Sequence, residues 1–257
     1  WALSFWGLLL LLISGDFLVK GAIQLSNTLG VSALLVSLTV VAFGTSAPEL
    51  IVAIKATLSG SPGLAMGNVV GSNIANILLV LGLPTLIMGL KNNITDTKRS
   101  FGFMIAASVL FIMFGMSGSF SWVYGVVLLS LLAFFLFDTF RQNSKKALNG
   151  EILEFQQRTS HSWWTIIFFL TLGVIGLPLG ADLLVTNASA LAKGYGVSDA
   201  VVGLTLVAIG TSLPELATTF VAFVRKKADV VLGNLIGSNI FNLLAIIGIT
   251  SLIFPVP

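Results

Sequence analysis

Apolar residues dominate this chain in long runs, and short polar segments separate the runs. A helix needs roughly 20 mainly apolar residues to cross a bilayer, and it satisfies its own backbone hydrogen bonds there. We therefore expect an all-α polytopic membrane protein. The pattern predicts eight transmembrane helices, near residues 2–25, 31–57, 64–89, 100–117, 121–140, 163–190, 197–224 and 229–254.

Two polar motifs lie inside these apolar runs, and each motif occurs twice. The first is Gly-Thr-Ser-Ala-Pro-Glu-Leu at 44–50 and Gly-Thr-Ser-Leu-Pro-Glu-Leu at 210–216. The second is Gly-Asn-Val-Val-Gly-Ser-Asn-Ile-Ala-Asn at 67–76 and Gly-Asn-Leu-Ile-Gly-Ser-Asn-Ile-Phe-Asn at 233–242, so all counterparts are 166 positions apart. The copies begin five spans apart, an odd number, so they cross the membrane in opposite directions. This is the pattern of an inverted-repeat transporter.

The composition supports a membrane protein and excludes several other classes. Hydrophobic residues make up 56% of the chain and charged residues 9%, and the mean hydropathy is +1.03. A soluble domain of 257 residues would need far more polar surface. The net charge of +3 is better explained by orientation signals than by nucleic acid binding, for which we find no support. The absence of cysteine excludes disulfides and thiolate metal sites.

The distribution of basic residues predicts the orientation. Cytoplasmic loops carry an excess of Lys and Arg. This places the amino terminus outside and the hydrophilic loop 141–162 in the cytoplasm of a multi-pass protein of the plasma membrane, or of the inner membrane in a bacterium. Eleven basic residues fall on the cytoplasmic side, namely Lys20, Lys91, Lys98, Arg99, Arg141, Lys145, Lys146, Arg158, Arg225, Lys226 and Lys227, and two fall on the other, Lys55 and Lys193.

The motifs contain the residue types of a cation site. Pro48 and Pro214 each remove a helix hydrogen bond, which frees backbone carbonyls near residues 44 and 210. An intramembrane carboxylate costs about 2.5–3.5 kcal/mol, and neither glutamate has an obvious basic partner in its own span. Carboxylate, hydroxyl and amide oxygens suit calcium or sodium and argue against zinc or copper. The side chains brought to common helix faces are Thr45, Glu49, Ser72 and Asn76 in the first copy and Thr211, Glu215, Ser238 and Asn242 in the second.

Catalysis is disfavoured by the same residues. A hydrolase of the bilayer would want a buried histidine beside its nucleophile. His161, the one histidine, lies in the basic loop. We therefore expect no enzyme activity and no cofactor, and the partners we expect are the transported cations and the lipid bilayer.

Both motifs resemble the two alpha-repeats of the sodium/calcium exchanger family, within the cation/calcium antiporters. The resemblance covers about residues 10–90 and 176–254. The family pattern has ten spans, so it implies that the last two helices are missing or dispensable. It also implies a set of ion ligands made of the carbonyls of Ala42 and Ala208 and the side chains of Thr45, Ser46, Glu49, Ser72, Asn76, Thr211, Ser212, Glu215, Ser238 and Asn242.

The resemblance implies an electrogenic antiporter that exchanges three Na⁺ for one Ca²⁺ by alternating access, with the first span of each repeat sliding past the other helices. The domains would be a first repeat at 1–140, the loop at 141–162 and an incomplete second repeat at 163–257. Asparagine at 76 and 242, where some relatives have aspartate, argues against potassium coupling, and the first motif differs from that of proton-coupled relatives. Coupling to H⁺ or K⁺ stays an alternative, as do a passive cation channel and a cation sensor.

Overall fold

The structure is a computed structural model that describes residues 2–88, 97–148, 162–197 and 208–253. These residues form helices joined by short turns. A three-residue helical turn, Ala208–Gly210, precedes the eighth helix. The helices are α1 (Ala2–Leu29), α2 (Ala33–Thr45), α3 (Ala47–Leu58), α4 (Pro62–Ile87), α5 (Thr97–Gly115), α6 (Trp122–Leu148), α7 (Trp163–Gly194), α8 (Leu213–Val224) and α9 (Ala228–Ile253).

The helices confirm the predicted class of protein. Six of the described helices, α1, α4, α5, α6, α7 and α9, are long and apolar enough to cross a membrane, and α2 with α3 forms one further, broken span. The span predicted at 197–224 falls partly outside the described residues, and its described part ends in α8. Helix α6 continues beyond 140, where its apolar run ends, because good helix formers such as Arg141, Gln142 and Lys145 follow.

The break between α2 and α3 follows from the proline in the first motif. The two helices are bent by 44°. Pro48 has no N–H to donate to the carbonyl of Gly44, so the helix stops and starts again at Ala47. The second copy repeats this arrangement, with Pro214 in the first turn of α8. Each glutamate of the motif therefore lies in the first turn of a new helix, where the helix dipole favours a negative charge.

Helices α1 and α7 pack against each other along their length through glycines. A methyl group added at Gly7 would lie 2.6 Å from the backbone nitrogen of Leu184, and one added at Gly173 would lie 2.9 Å from that of Leu18. Gly173 and Leu184 lie 166 positions after Gly7 and Leu18, so the two contacts are equivalent under the repeat. A pseudo-twofold axis therefore relates the repeats. Residue numbers rise in α1 as they fall in α7, which shows that the two helices are antiparallel and the repeats inverted.

Helix α9 lies at the centre of the molecule. In its most apolar stretch 94% of the residues are buried, against 22–33% in the other five continuous spans. It packs against α2, α5, α6 and α8. Gly233 and Gly237 permit the close approach to α2, because a side chain at either position would meet the α2 backbone within 3 Å. This packing places the second motif of one repeat beside the first motif of the other.

A cluster of three charges joins α1 to the end of α8. Asp16 accepts hydrogen bonds from Lys20, with 2.8 Å between Nζ and Oδ2, and from Arg225, with 2.6 Å between Nε and Oδ1. Asp182 is the counterpart of Asp16 in α7, and it forms no ion pair among the described residues. The two repeats therefore differ at this pair of equivalent positions, and Asp16 ties α1 to the end of α8 by charge.

We expect Asp16→Asn to lower the melting temperature of the purified protein slightly, and more at low salt than at high salt. The cluster is partly exposed, and such pairs contribute at most about 1 kcal/mol, which salt screens. Thermal unfolding in detergent at two salt concentrations measures the effect, with Asp182→Asn as the matched control. Equal shifts in the two variants would show that the cluster does not stabilise the docking of α1.

Candidate functional site

The two motif glutamates lie inside the protein, where the two repeats meet. Glu49 is 0% exposed and Glu215 is 1% exposed. The Ser46 hydroxyl, at the break of the first repeat, donates to Oε1 of Glu215 across 3.0 Å. The two carboxylates are near enough to repel each other. Both acidic groups are thus buried close to each other, and the first repeat donates a hydrogen bond to the carboxylate of the second.

Several of the predicted site residues have buried polar atoms without a hydrogen-bond partner in the described part of the chain. Such atoms are rare in proteins, because each unpaired buried group costs about 1–3 kcal/mol. Here they come from α3, α4, α8 and α9 and from the residue before α8. The atoms are both carboxylate oxygens of Glu49, Oε2 of Glu215, the hydroxyls of Ser72 and Ser212, Oδ1 of Asn242 and both amide atoms of Asn76.

The threonine of the first motif is also buried, but it has partners. The Thr45 hydroxyl lies 3.1 Å from Oδ1 of Asn234 and 3.4 Å from the Ser238 hydroxyl. Thr45 and Ser238 lie close to the carboxylate of Glu215. The counterpart of Thr45, Thr211, is half-buried in the break before α8. The structure therefore brings Thr45 and Ser238 to the carboxylate of Glu215, and it buries Thr45 more deeply than its counterpart Thr211.

The carbonyl oxygen of Ala42 already accepts two hydrogen bonds. Its donors are the backbone N–H of Ser46, at 3.0 Å, and the Thr45 hydroxyl, at 3.3 Å. The bond from Thr45 is long, and that hydroxyl can turn to another acceptor. Ala208 begins the helical turn that precedes the second break. Both residues precede a break by about one helical turn, and their role as ion ligands stays a prediction.

The second motif produces a local widening of the helix in both repeats. A π-helical segment begins at Asn76 in α4 (Asn76–Gly82) and at Phe241 in α9 (Phe241–Ile246). The wider turn leaves backbone groups less tightly paired, and such segments are frequent at functional sites. The segments include Asn76 and its counterpart Asn242, so both amides project from a distorted turn.

Sequence reasoning missed three polar residues that the structure places next to the site. Asn234 is fully buried and connects Thr45 to the Thr219 hydroxyl, to which its Nδ2 donates across 3.2 Å. Asn73 bonds to the side chain of Asn242 across 3.1 Å. Both asparagines lie in the repeated second motif, at the same offset as their counterparts, so the repeat itself was a usable signal. Thr219 has an alanine as its counterpart and carried no such signal.

Comparison with known proteins identifies the family. The sequence model of the sodium/calcium exchanger protein family matches residues 1–140 and 165–257. The chain belongs to this family. It is a membrane transporter of the exchanger type, as both motifs indicated, and the same family has relatives among bacteria and archaea.

Two relatives of this family illustrate the extent of the similarity. The chain is 37% identical over 259 residues to the inner membrane protein YrbG of Escherichia coli K12, covering 99% of this chain and 80% of that protein. It is 34% identical over 285 residues to the sodium/calcium exchanger MaX1 of Methanosarcina acetivorans, covering 97% and 81%. The similarity thus extends over nearly the whole of this chain, including the spans between the motifs.

The fold of the family agrees with the structure. A solved structure of the sodium-calcium exchanger NCX_Mj, soaked with 2.5 mM Na⁺ and 0.1 mM Ca²⁺, superimposes with a TM-score of 0.80 at 35% identity. The match covers 98% of this chain and 81% of that one. The solved exchanger therefore shares its fold with nearly the whole of this chain.

Proposed function

We propose that this protein is a secondary active antiporter that exchanges Na⁺ for Ca²⁺ by alternating access. The observation that carries the proposal is the group of buried oxygen atoms without partners around two carboxylates that no basic residue neutralises in the described structure. Bare carboxylate, amide and hydroxyl oxygens in an apolar surrounding are strongly stabilised by a cation. The ligand set would be the twelve residues named above from the resemblance.

The charge of the site supports exchange. Glu49 and Glu215 together carry two negative charges, and the asparagines at 76 and 242 add none, so one Ca²⁺ neutralises the site. Several Na⁺ ions can use the same oxygens, so the two loads compete for the site. Competition of this kind is what an alternating-access antiporter requires.

Chemistry of other kinds has little support in the described residues. They include no group of three or more His, Cys, Asp or Glu side chains that could hold a metal ion tightly. The polar atoms cluster at one depth, whereas a channel would line a continuous path.

The arrangement in the membrane forms part of the proposal. Residues 1–140 would be the first repeat, 141–162 a cytoplasmic loop and 163–257 the second repeat, with the amino terminus outside the plasma membrane or a bacterial inner membrane. The charge cluster around Asp16 supports the assignment of basic residues to the two sides of the membrane. Lys20 and Arg225 are both predicted on the cytoplasmic side, and both bind Asp16. The paired helices α1 and α7 would move as one unit, since they pack closely along their length.

We expect radioactive Ca²⁺ to enter proteoliposomes containing this protein only when they are loaded with Na⁺. Loading with K⁺ or imposing a pH gradient serves as the comparison. With three Na⁺ leaving for each Ca²⁺ that enters, one net positive charge leaves per cycle. An interior-positive potential should therefore accelerate uptake, because it adds about 2.3 kcal/mol per 100 mV to the driving force of each cycle.

Uptake driven by a pH or K⁺ gradient would show that H⁺ or K⁺, and not Na⁺, is the coupling ion. Uptake without any counter-ion gradient would indicate a channel. Liposomes without protein, and protein assayed with the Na⁺ gradient collapsed by an ionophore, are the controls.

A further inference from the structure

The side-chain amide of Asn242 has two chemically different ends. Only the oxygen can bind a cation, while the NH₂ group would repel one. Asn242 is fully buried, and its Oδ1 has no hydrogen-bond partner among the described residues. Its Nδ2 donates to Oδ1 of Asn73, on α4, across 3.1 Å. The value of Asn242 to a cation site therefore depends on which way its amide faces.

The orientation of Asn73 is determined by a backbone group. Nδ2 of Asn73 donates to the carbonyl oxygen of Asn239, on α9, across 3.4 Å. A carbonyl oxygen can only accept a hydrogen bond, so the NH₂ group of Asn73 must face it. The oxygen of Asn73 then faces Asn242, which must turn its own NH₂ group toward Asn73. The oxygen of Asn242 is left facing away from this contact.

We propose that Asn73 is a positioning residue that holds the oxygen of Asn242 toward the transported cation. The inference deepens the proposed function and rests on it. Asn73 acts through Asn242 and does not touch the ion itself. The relay begins at a backbone carbonyl and crosses twice between α4 and α9, so it also connects the second motifs of the two repeats.

Among the described residues, the other repeat has no such relay. Asn76 is the counterpart of Asn242, and neither of its amide atoms has a partner among the described residues. Asn239 is the counterpart of Asn73, but its Nδ2 donates within its own helix, to the carbonyl of Leu235, across 2.8 Å. The two site amides are therefore unequal, because only Asn242 is oriented by the protein. A test can use this difference, since Asn239 offers a matched control.

The test compares Asn73→Leu with Asn239→Leu in two backgrounds, the natural protein and Asn242→Asp. Aspartate has two equivalent oxygens and needs no orienting partner. We expect Asn73→Leu to raise the half-saturating Ca²⁺ concentration about tenfold in the natural background. A tenfold change in affinity corresponds to the loss of about one hydrogen bond, here the bond that orients Asn242. In the Asn242→Asp background the change should be under about twofold, and Asn239→Leu should have little effect in the natural background.

Na⁺-driven uptake of radioactive Ca²⁺ gives the half-saturating concentration and the maximal rate, and calorimetric titration with Ca²⁺ gives the affinity independently. The maximal rate should change less than the half-saturating concentration. Asn73→Ala replaces the leucine variant if the latter does not fold. If Asn73 variants change the affinity equally in both backgrounds, or not at all, the inference is wrong. If the unaltered protein neither binds nor transports Ca²⁺, the proposed function itself fails.

Discussion

Replacing Glu49 or Glu215 by glutamine should reduce Na⁺-driven Ca²⁺ uptake by about 100-fold or more. Glutamine keeps the size of the side chain and one oxygen, but it lowers the charge of the site from minus two to minus one. Removing one partner from a buried charge interaction costs about 3–5 kcal/mol, and each 1.4 kcal/mol is a factor of ten in affinity. Both variants should fold, since an uncharged side chain in this buried position is less costly than a carboxylate.

The measurement is initial uptake in proteoliposomes at several Ca²⁺ concentrations, together with the amount of protein in the membrane. Asp182→Asn is the matched control, because it also neutralises a carboxylate in a membrane helix but lies outside the site. Retention of more than a tenth of the transport by either glutamine variant, at all Ca²⁺ concentrations, would contradict a site built on both carboxylates.

Gly237→Ala should destabilise the protein strongly, whereas Gly71→Ala should not. A methyl group at Gly237 would lie 2.5 Å from Cβ of Ala42 and 2.6 Å from the carbonyl oxygen of Leu38. Neither atom can swing aside, because one is attached directly to the α2 backbone and the other belongs to it. Overpacking of this kind costs about 1–3 kcal/mol. Gly71 is the counterpart of Gly237, and a methyl group there would meet no described atom within 4 Å.

Thermal unfolding in detergent and the fraction of monodisperse protein measure this effect, and we expect the melting temperature of Gly237→Ala to fall by roughly 5 °C or more. Transport should also fall, because α9 and α2 carry site residues on both sides of the contact. Equal stability of the two alanine variants would show that α2 and α9 do not depend on this close approach.

The membrane class and the approximate positions of seven of the eight predicted spans were predictable from the sequence. The mean hydropathy of a segment indicates whether it can cross a bilayer. This value depends on the amino-acid composition of the segment and hardly on its tertiary contacts. The ends were less predictable. Helix α6 continues to Leu148 because helix formation does not stop where hydrophobicity stops. The π-helical segments at Asn76 and Phe241 had no signal in the motif pattern.

The sequence predicted a candidate site around the two motif glutamates, and the structure buries both of them. Two copies of the same motifs at one offset indicated two equivalent breaks, and an unpaired carboxylate in an apolar span indicated a cation. Pro acts here through its missing N–H, Gly through its missing side chain and Glu through its charge. Each of these properties belongs to the residue itself, so it can be read from the sequence. Of the two equivalent glycines in the second motif, Gly237 permits close helix packing, while Gly71 is exposed.

The sequence by itself determined the membrane class, the inverted repeat and the paired glutamates, because these depend on hydrophobicity, spacing and local chemistry. Only the tertiary structure decided which atoms pair. Ser46 bonds to Glu215 of the other repeat, and Asn73 orients Asn242, while the equivalent Asn239 bonds within its own helix. Equivalent motifs form different hydrogen bonds because the orientation of a hydroxyl or an amide depends on the group it meets, and the two repeats present different groups at their interface.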